Sequence, residues 1–461
     1  MKNKKPENIV EGAVFGIEDG LERMLEAGIK FSIRKIKEAL KKKEVNEVLD
    51  SSYLKNKEQW YHRDALAYSL KNNVCIGFGH IDLNRHTVVC ATTGGGKNVL
   101  CDNLIESRLK AGLPVVMIDP KGDHKALLRF QALNKKYNRT CYVFSESQPL
   151  SDRCNPVLEG TPSAIIDRLY KIFDWGEPYY ADTNYIALEK AVHGLRNEKR
   201  PVTIKALHEY LDTNLKDKET INIINKLGKI NNSAFGHILT GGEDDASAVT
   251  FSKLREERAS IYIGLSTLGF PEVSQAIGKL FIYELMYHSY QTFIDYSKED
   301  AKAPAPFSVF IDELGSVITP DFISLINKCR GAGIGVCVSF QLLSDLDSVS
   351  AEFRDRLIGN MNNFFIGHCH VPDEAEYWSK MIGTTESKKF TYMTEEDEEQ
   401  SRGSVRESNE FLVHPDIFKK LEIGQFVVKT FFPKSSLDLV KVRLKTRKEL
   451  EAFSGRPQKE I

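Results

Sequence analysis

His86-Thr-Val-Val-Cys-Ala-Thr-Thr-Gly-Gly-Gly-Lys-Asn98, followed by Val99-Leu-Cys-Asp-Asn-Leu-Ile105, is the stretch that decides the fold class of this chain. Its apolar run predicts a buried strand, its glycines a tight loop, and the residues after Asn98 the first turns of a helix. Three consecutive glycines let several backbone N–H groups converge at the positive end of that helix, where a phosphate binds well. The stretch therefore predicts a phosphate-binding loop, or P-loop.

The residues expected to hold the phosphates are consecutive in the chain. A P-loop places a lysine directly after its last glycine, where the ammonium reaches the β- and γ-phosphates, and Lys97 has this position. The stretch departs from the full pattern twice, because Ala91 replaces the first glycine and Asn98 replaces the Ser or Thr after the lysine. The alternative interpretation is an ordinary glycine turn. The candidate nucleotide-binding residues are Thr92, Thr93, Gly94, Gly95, Gly96, Lys97, Asn98 and Val99.

Composition is that of a globular protein. The chain has 461 residues, 41% hydrophobic and 28% charged, enough for a large core and two or three domains. Its net charge of −1 provides no overall basic field, so contact with DNA would require local patches or a pore formed by several subunits. The eight cysteines form no CxxC pair, which argues against zinc and suits a reducing compartment. No apolar run approaches the ~18 residues that span a bilayer, so we expect a cytoplasmic protein.

The first 72 residues predict a helical, charged N-terminal segment. Apolar residues recur at three- and four-residue spacing from Ile17 to Leu40. Residues 29–43 are basic as well as amphipathic, which suits peripheral contact with anionic lipid at the inner membrane or docking to a partner. The alternative is a surface helix packed on its own domain.

From residue 73 onward, short apolar runs alternate with helical patterns, which predicts an α/β fold with a mostly parallel sheet. Residues 160–255 show only helical periodicity, so we expect an inserted all-α domain there. The expected organisation is an N-terminal segment at 1–72, an α/β domain at 73–159 and 256–446, the all-α insertion at 160–255, and a polar tail at 447–461.

Two segments near the C-terminus have contrasting patterns. The runs 424–429 and 439–443 predict a closing β-hairpin. Residues 395–406 are polar and acidic, so we expect a mobile loop there.

Two adjacent acids follow the apolar run Phe307–Ile311. A parallel strand delivers the residues at its carboxyl end to the edge of the sheet where ligands bind. There, Asp312 is expected to hold Mg²⁺, and Glu313 to orient or deprotonate an attacking water. Gln341 ends a later strand, where a polar residue can sense the γ-phosphate. The alternative for Gln341 is an amide that only caps the strand.

A second polar turn follows the apolar run 114–118. Asp119, Lys121 and Asp123 stand at its carboxyl end and are therefore further site candidates. A turn that merely uses Pro120 and Gly122 explains them almost as well.

The order of these motifs resembles a known family, the TraD/TraG-type coupling proteins of type IV secretion and conjugation, which belong to the FtsK/HerA branch of RecA-like P-loop motors. The resemblance covers about residues 74–430. The matching stretches, in family order, are HTVVCATTGGGK, VVMIDPKGD, Asn155-Pro156, IYIGLSTL, FIDELGS, LINKCRGAGIGVCVSFQ and LVHPDIFKKLEIGQF.

The resemblance implies a RecA-like core that assembles as a homo-hexamer and hydrolyses ATP with Mg²⁺. It also implies delivery of DNA or a secreted, relaxase-like protein substrate to a type IV secretion channel or its membrane adaptor. Lys97 is then the Walker A lysine, Asp312 and Glu313 are the Walker B acids, and Gln341 is the strand-end sensor. Arg330 stands where the family places a basic residue that acts on the neighbouring subunit's nucleotide.

The chain departs from the family at two points. Family members usually carry N-terminal transmembrane helices, so here a partner or the basic helix is expected to provide membrane attachment. Asn98, a candidate Mg²⁺ ligand with Asp312, replaces the usual hydroxyl and predicts slow hydrolysis. Two alternatives stay open: a nucleotide-bound recruitment or assembly subunit with weak hydrolysis, and a cytosolic HerA-like DNA-processing motor.

Overall fold

The computed structural model describes residues 65–72, 74–77, 84–176, 178–241, 248–296, 305–392 and 403–445. The expected helical segment before residue 65, with the basic helix at 29–43, lies outside the described residues. The same holds for the polar tail and for residues 393–402 of the expected acidic loop.

The secondary-structure elements follow the predicted alternation of strands and helices. The strands are β1 (Ala65–Ser69), β2 (Cys75–Gly77), β3 (Thr87–Cys90), β4 (Val115–Asp119), β5 (Cys141–Ser145), β6 (Ser260–Gly264), β7 (Phe307–Ile311), β8 (Ile334–Phe340), β9 (Asn363–Ile366), β10 (Thr384–Tyr392), β11 (Gly403–Phe411), β12 (Gln425–Thr430) and β13 (Ser436–Val442). The helices are α1 (Lys97–Lys110), α2 (His124–Lys136), α3 (Pro162–Lys171), α4 (Pro178–Asn197), α5 (Ile204–Asn214), α6 (Ile221–Asn231), α7 (Phe251–Glu257), α8 (Pro271–Tyr296), α9 (Phe322–Cys329), α10 (Ser344–Asp347), α11 (Ala351–Asn360), α12 (Pro372–Ile382) and α13 (Pro415–Lys420).

The chain divides into two compact units, of which unit 1 comprises Met1–Asp82, Val88–Asn103 and Asn362–Leu444. Its sheet strands run in the order β2-β1-β13-β12-β9-β3. The pairs from β2 to β9 are antiparallel. The predicted C-terminal hairpin is present as β12 and β13, with Val427 opposite Leu439.

Strand β1 corrects the expected start of the α/β domain at residue 73. It lies within the segment that was expected to be helical, yet it pairs with both β2 and β13. All five of its residues are buried. A short strand that is buried on both faces shows no alternation of apolar and polar residues, so its pattern did not distinguish it from a helix.

A second correction concerns the expected loop at 395–406. Gly403–Phe411 forms β11, which pairs with β10 in an antiparallel two-stranded sheet that also belongs to unit 1. Residues 403–406 are therefore strand. The largely polar sequence of this ribbon does not show the continuous apolar run or regular alternation by which strands are recognised.

Unit 2 comprises Leu83–Thr87, Leu104–Met361 and Lys445–Ile461. Its strands run in the order β8-β7-β4-β6-β5, and every pair is parallel. Strands β4, β6, β7 and β8 are buried along their whole length, as continuous apolar runs predict. None of the helices in the described residues is long and apolar enough to cross a membrane.

An all-α insertion was expected at residues 160–255, which lie between β5 and β6. The described residues from Pro162 to Glu257 form helices α3–α7 and, apart from an isolated bridge at Val249, contain no strand. Threonines cap three of these helices, with the side chain of Thr161, Thr203 or Thr250 accepting a bond from a backbone N–H in the first turn.

Asn155 connects the insertion to the preceding chain. Its buried Nδ2 donates to the carbonyl oxygens of Val202, at 2.9 Å, and Gly241, at 2.7 Å. Both carbonyls thereby gain a buried hydrogen-bond partner. In this chain the Asn155-Pro156 pair thus contributes to the structure of unit 2.

Candidate active site

The P-loop has the backbone that its glycines predict. It joins β3 to α1, and Lys97 is the first residue of the helix. Gly94 and Gly96 have φ angles of +81° and +96°, which residues with a side chain rarely adopt. A Cβ atom at Gly96 would lie 2.9 Å from the Cα of Gly424. The third glycine is therefore required by its backbone conformation and by its neighbour.

Backbone hydrogen bonds within unit 1 hold this loop. The N–H of Thr92 donates to the carbonyl of His368 at 3.2 Å, and the N–H of Gly424 donates to that of Gly95 at 2.9 Å. Within the loop, the N–H of Gly95 donates to the carbonyl of Thr92 at 3.0 Å. The loop conformation is thus fixed by unit 1 itself.

The predicted nucleotide-binding residues differ in exposure. Lys97 and Gly95 are buried, whereas Thr93, Gly94 and Asn98 are exposed. The residues of intermediate exposure are Thr92, Gly96 and Val99. Exposed backbone at the tip of the loop, followed by a helix N-terminus, is the arrangement that binds anions.

A cavity of about 580 Å³ adjoins the P-loop, and all of its lining residues belong to unit 1. They are Thr92, Thr93, Gly94, Gly95, His368, His370, Leu421, Glu422, Ile423 and Lys441. Its volume suits a small-molecule ligand. The sequence did not identify His368, His370 or Lys441 as candidates, because they lie far from the P-loop in the chain and match no phosphate-binding pattern. The only signal was the late motif at 412–426, which contains three of the lining residues.

The acids after β7 lie in unit 2. The side chain of Ser339 donates a hydrogen bond to Oδ1 of Asp312. Glu313 has a φ angle of 42°, in the left-handed region that is unfavourable for a residue with a side chain. Such backbone conformations persist where the surrounding structure enforces them, often at functional sites.

Gln341 and Glu313 are brought together by the parallel strands β8 and β7. The amide nitrogen Nε2 of Gln341 donates to Oε1 of Glu313 at 2.8 Å. The backbone N–H groups of Gln341 and Leu342 donate to Asp345 at 3.1 and 3.0 Å, which fixes the end of β8. The amide therefore contacts the acid expected to act in catalysis.

Lys121 joins the same cluster through an ion pair between its Nζ and Oε1 of Glu313. Partial burial lowers the pKa of Lys121, but the hydrogen bond to Glu313 and the surrounding acids outweigh this effect and leave the pKa raised. The lysine is thus held as an ammonium ion among carboxylates.

Asp119 has a structural place in this cluster. Its buried carboxylate accepts bonds from the backbone N–H of Lys121, at 2.9 Å, and of Asp123, at 3.0 Å, and from the hydroxyl of Tyr262. Burial raises the pKa of Asp119, and the charge of Asp312 acts in the same direction. Of the three candidates in this turn, Lys121 contacts Glu313, whereas Asp119 shapes the turn.

Arg330 directly follows α9 and is exposed. Among the described residues, no hydrogen bond or ion pair holds its guanidinium.

The candidate ligands Asp312 and Asn98 fit Mg²⁺ only if phosphate oxygens also coordinate the ion. Among the described residues, no cluster of three or more His, Cys, Asp or Glu side chains could hold a metal ion. Mg²⁺ in phosphoryl-transfer sites typically takes one or two protein ligands, with phosphate oxygens and water completing its shell. The carboxylate of Asp312 suits that role, and Asn98 is an exposed residue at the start of α1.

Two family models match the chain over separate ranges. Residues 69–268 match the central domain of helicase HerA, and residues 306–425 match the TraM recognition site of TraD and TraG. None of the curated proteins compared with the chain matches it significantly.

Several solved structures have similar folds. The unbound bacterial conjugative coupling protein TrwB (TrwBdeltaN70) aligns with a TM-score of 0.61 and 16% identity, over 87% of this chain and 93% of that one. TrwB in complex with ADP and Mg²⁺ aligns with a TM-score of 0.59 and 16% identity, over 87% and 94%. VirB4 of Thermoanaerobacter pseudethanolicus aligns with a TM-score of 0.54 and 14% identity, over 85% and 100%.

The fold is therefore that of an α/β, RecA-like P-loop NTPase, as predicted. The resemblance to TraD/TraG-type coupling proteins and to the HerA-like ATPases, first indicated by the order of motifs, is confirmed by the two family matches and the shared fold.

Proposed function

We propose that the protein is an ATP-hydrolysing coupling protein that delivers DNA or protein substrates to a type IV secretion or conjugation channel. The observation that carries this proposal is the preformed P-loop, whose left-handed glycines and Lys97 lead directly into α1. The family matches and the TrwB-like fold support the cellular role.

In this proposal different residues of the chain bind the phosphates of ATP, bind the metal ion and activate the attacking water. The backbone N–H groups of the P-loop and the ammonium of Lys97 bind the phosphates. Asp312 would hold Mg²⁺, which would neutralise charge on the phosphates. Glu313 orients the attacking water and accepts its proton, while Gln341 fixes the carboxylate. ATP and Mg²⁺ are the proposed cofactors, since TrwB has been solved with ADP and Mg²⁺ and with a non-hydrolysable ATP analogue.

The proposed assembly is a homo-hexamer in which Arg330 acts on the nucleotide of the adjacent subunit. The match to the TraM recognition site supports a protein partner of that type at residues 306–425. Cytoplasmic placement and contact with the inner membrane through residues 29–43 are part of the same proposal.

Two substitutions test the enzymatic part. Lys97→Ala removes the phosphate-binding charge, so we expect loss of nucleotide binding without unfolding. Glu313→Gln retains a hydrogen-bonding side chain but cannot accept the proton, so ATP should bind and turnover should fall at least ~10²-fold. Binding is measured with a fluorescent ATP analogue, and turnover by phosphate release with and without single- and double-stranded DNA. Normal turnover in both variants would contradict the assignment.

The second candidate function is a nucleotide-bound assembly subunit with weak hydrolysis. Asn98 in place of a hydroxyl favours it, because an amide is a poorer match to the compact shell of Mg²⁺. The wild-type protein would then bind ATP and assemble without measurable turnover. A HerA-like DNA-processing motor would instead show turnover that DNA alone stimulates.

A further inference from the structure

The turn that carries Lys121 is held by contacts from the loop that follows β6 in unit 2. Both the N–H and the Oγ1 of Thr267 donate to the carbonyl of Pro120, each at 2.8 Å. Gly122 has a φ angle of +63°, and a Cβ atom there would lie 2.8 Å from Oγ of Ser266. With the two N–H groups bound by Asp119, the backbone around Lys121 is fixed. The side chain of Lys121 is 43% exposed, so it can move while its backbone cannot.

The partner of this lysine is the carboxylate expected to receive the proton. A carboxylate oxygen offers two lone pairs, and Oε1 of Glu313 contacts both the ammonium of Lys121 and the amide of Gln341. A water molecule that approaches this oxygen therefore meets two competing donors. One is a mobile, partly exposed cation, whereas the amide is attached to the fixed end of β8.

We propose that Lys121 is a positioning residue that holds Glu313 in a resting orientation, so that opening of the Lys121–Glu313 ion pair limits basal hydrolysis. This inference rests on the proposed function, because it assigns a control to the same acid. The side chains of Lys121 and Glu313 are 43% and 18% exposed, so water and salt screen the ion pair, and the restraint amounts to about fivefold in rate.

Replacement of Lys121 by Met removes the charge and keeps much of the aliphatic chain. We expect Lys121→Met to raise kcat about three- to fivefold at low ionic strength without changing nucleotide affinity. Added salt should speed the wild-type enzyme and leave the variant unaffected. The matched control is Lys125→Met, an exposed lysine four residues later at the start of α2, which should behave as wild type. A slower Lys121→Met enzyme would make the lysine a catalytic cation, and an unchanged one would make the pair irrelevant; either result overturns the proposal.

A second measurement tests the ion pair without reference to turnover. Amine reagents react with the neutral form of lysine, so a paired ammonium labels slowly. In the full-length protein, Lys121 should label more slowly than Lys125, and Glu313→Gln should accelerate the labelling of Lys121 alone. Equal labelling of Lys121 in wild type and Glu313→Gln overturns the pairing. If wild type and Lys121→Met both lack ATP turnover, the proposed function fails and the restraint on hydrolysis fails with it. If turnover depends on Glu313 but Lys121→Met is no faster than wild type, only the restraint fails.

Discussion

Asn98 is the second residue of α1, and its side chain is exposed beside the proposed phosphate site. The amide oxygen lies one bond farther from the backbone than a threonine hydroxyl, and Mg²⁺ requires short, well-placed oxygen ligands. We therefore expect Asn98→Thr to lower the Mg²⁺ concentration needed for half-maximal turnover and to raise the rate. The measurement is steady-state hydrolysis across a Mg²⁺ titration. Asn98→Ala serves as the control that removes the oxygen altogether. Identical titration curves for the wild type and the Thr variant would show that the amide replaces the hydroxyl adequately.

At the scale of single residues, sequence spacing identified the groups that follow strands but not the contacts between them. Gln341 and Glu313 were both predicted from strand ends, and parallel neighbours do bring them within hydrogen-bond distance. The Lys121 ion pair was not predicted, because the direction of a long, flexible side chain is not encoded in spacing. The positions of His368 and Lys441 beside the P-loop were not predicted either. These residues approach the P-loop only because strands that are distant in the sequence pair with one another. The catalytic roles of the named residues stay predictions.

At the scale of elements, two glycines of one loop provide a matched comparison. Gly94 and Gly96 both have positive φ angles, but a Cβ atom meets nothing within 4 Å at Gly94 and meets the Gly424 backbone at Gly96. Gly94→Ala should cost about 1 kcal/mol of unfolding free energy from backbone strain alone. Gly96→Ala should cost at least ~2 kcal/mol and weaken nucleotide binding, because the strand that begins after Gly424 must move. Urea unfolding and nucleotide titration measure both effects. Equal losses of unfolding free energy in the two variants would show that β12 can move away from Gly96 without a further energetic cost.

Helix α1 is also anchored by a buried ion-pair cluster. The side chain of Glu106 is 2% exposed, and its carboxylate contacts Nζ of Lys136 at 2.5 Å and Nζ of Lys445 at 2.6 Å. Burial alone would raise the pKa of Glu106, but the two lysines outweigh it and lower the pKa to about 2. Because this is below the unfolded value, the stabilisation is complete above the unfolded pKa and is lost as pH falls through about 2.

Replacement of Glu106 by Gln removes this contribution. At pH 7, Glu106→Gln should lower the free energy of unfolding by about 3 kcal/mol, since the buried ammonium of Lys445 and the partly exposed ammonium of Lys136 lose their counter-charge. The difference from wild type should shrink as pH falls from about 4.5 toward 2. Denaturant unfolding at several pH values measures it. Glu272→Gln, which removes an exposed pair with Lys229, is the control and should show little change. If the difference in unfolding free energy between wild type and Glu106→Gln did not depend on pH, the ion pairs of Glu106 would not be its cause.

Elements with strong periodicity or continuous apolar runs were predictable from the sequence, whereas weakly patterned ones were not. The helices of the insertion, the long α8 and the hairpin β12–β13 agree with the predicted patterns. The short buried β1 and the polar ribbon β10–β11 do not have such patterns. Their existence depends on strand partners that lie far away in the sequence, as with β1 and β13.

At the scale of the whole molecule, the proposed hexamer predicts complementation between two inactive variants. Arg330→Ala should lose ~10³-fold in rate if the arginine completes the neighbour's site, and Lys97→Ala should be inactive through its own site. Mixed rings contain interfaces with an intact Lys97 on one side and an intact Arg330 on the other, so mixing should restore part of the activity. Turnover across mixing ratios measures this, with Arg356→Ala, another exposed arginine, as the control. Mixtures no more active than their components would place Arg330 outside the neighbour's site.

The position of β6 has a consequence for how the chain is made. This strand pairs with β4 on one side and β5 on the other, yet it follows the whole helical insertion in the sequence. A ribosome therefore releases β5 and helices α3–α7 before the strand that joins β5 to the sheet. Closing so long a loop costs entropy that is recovered only when β6 emerges. Until then the edge of β5 can template pairing with other chains, so nascent chains are most prone to aggregate, and most in need of chaperones, while the insertion is being synthesised.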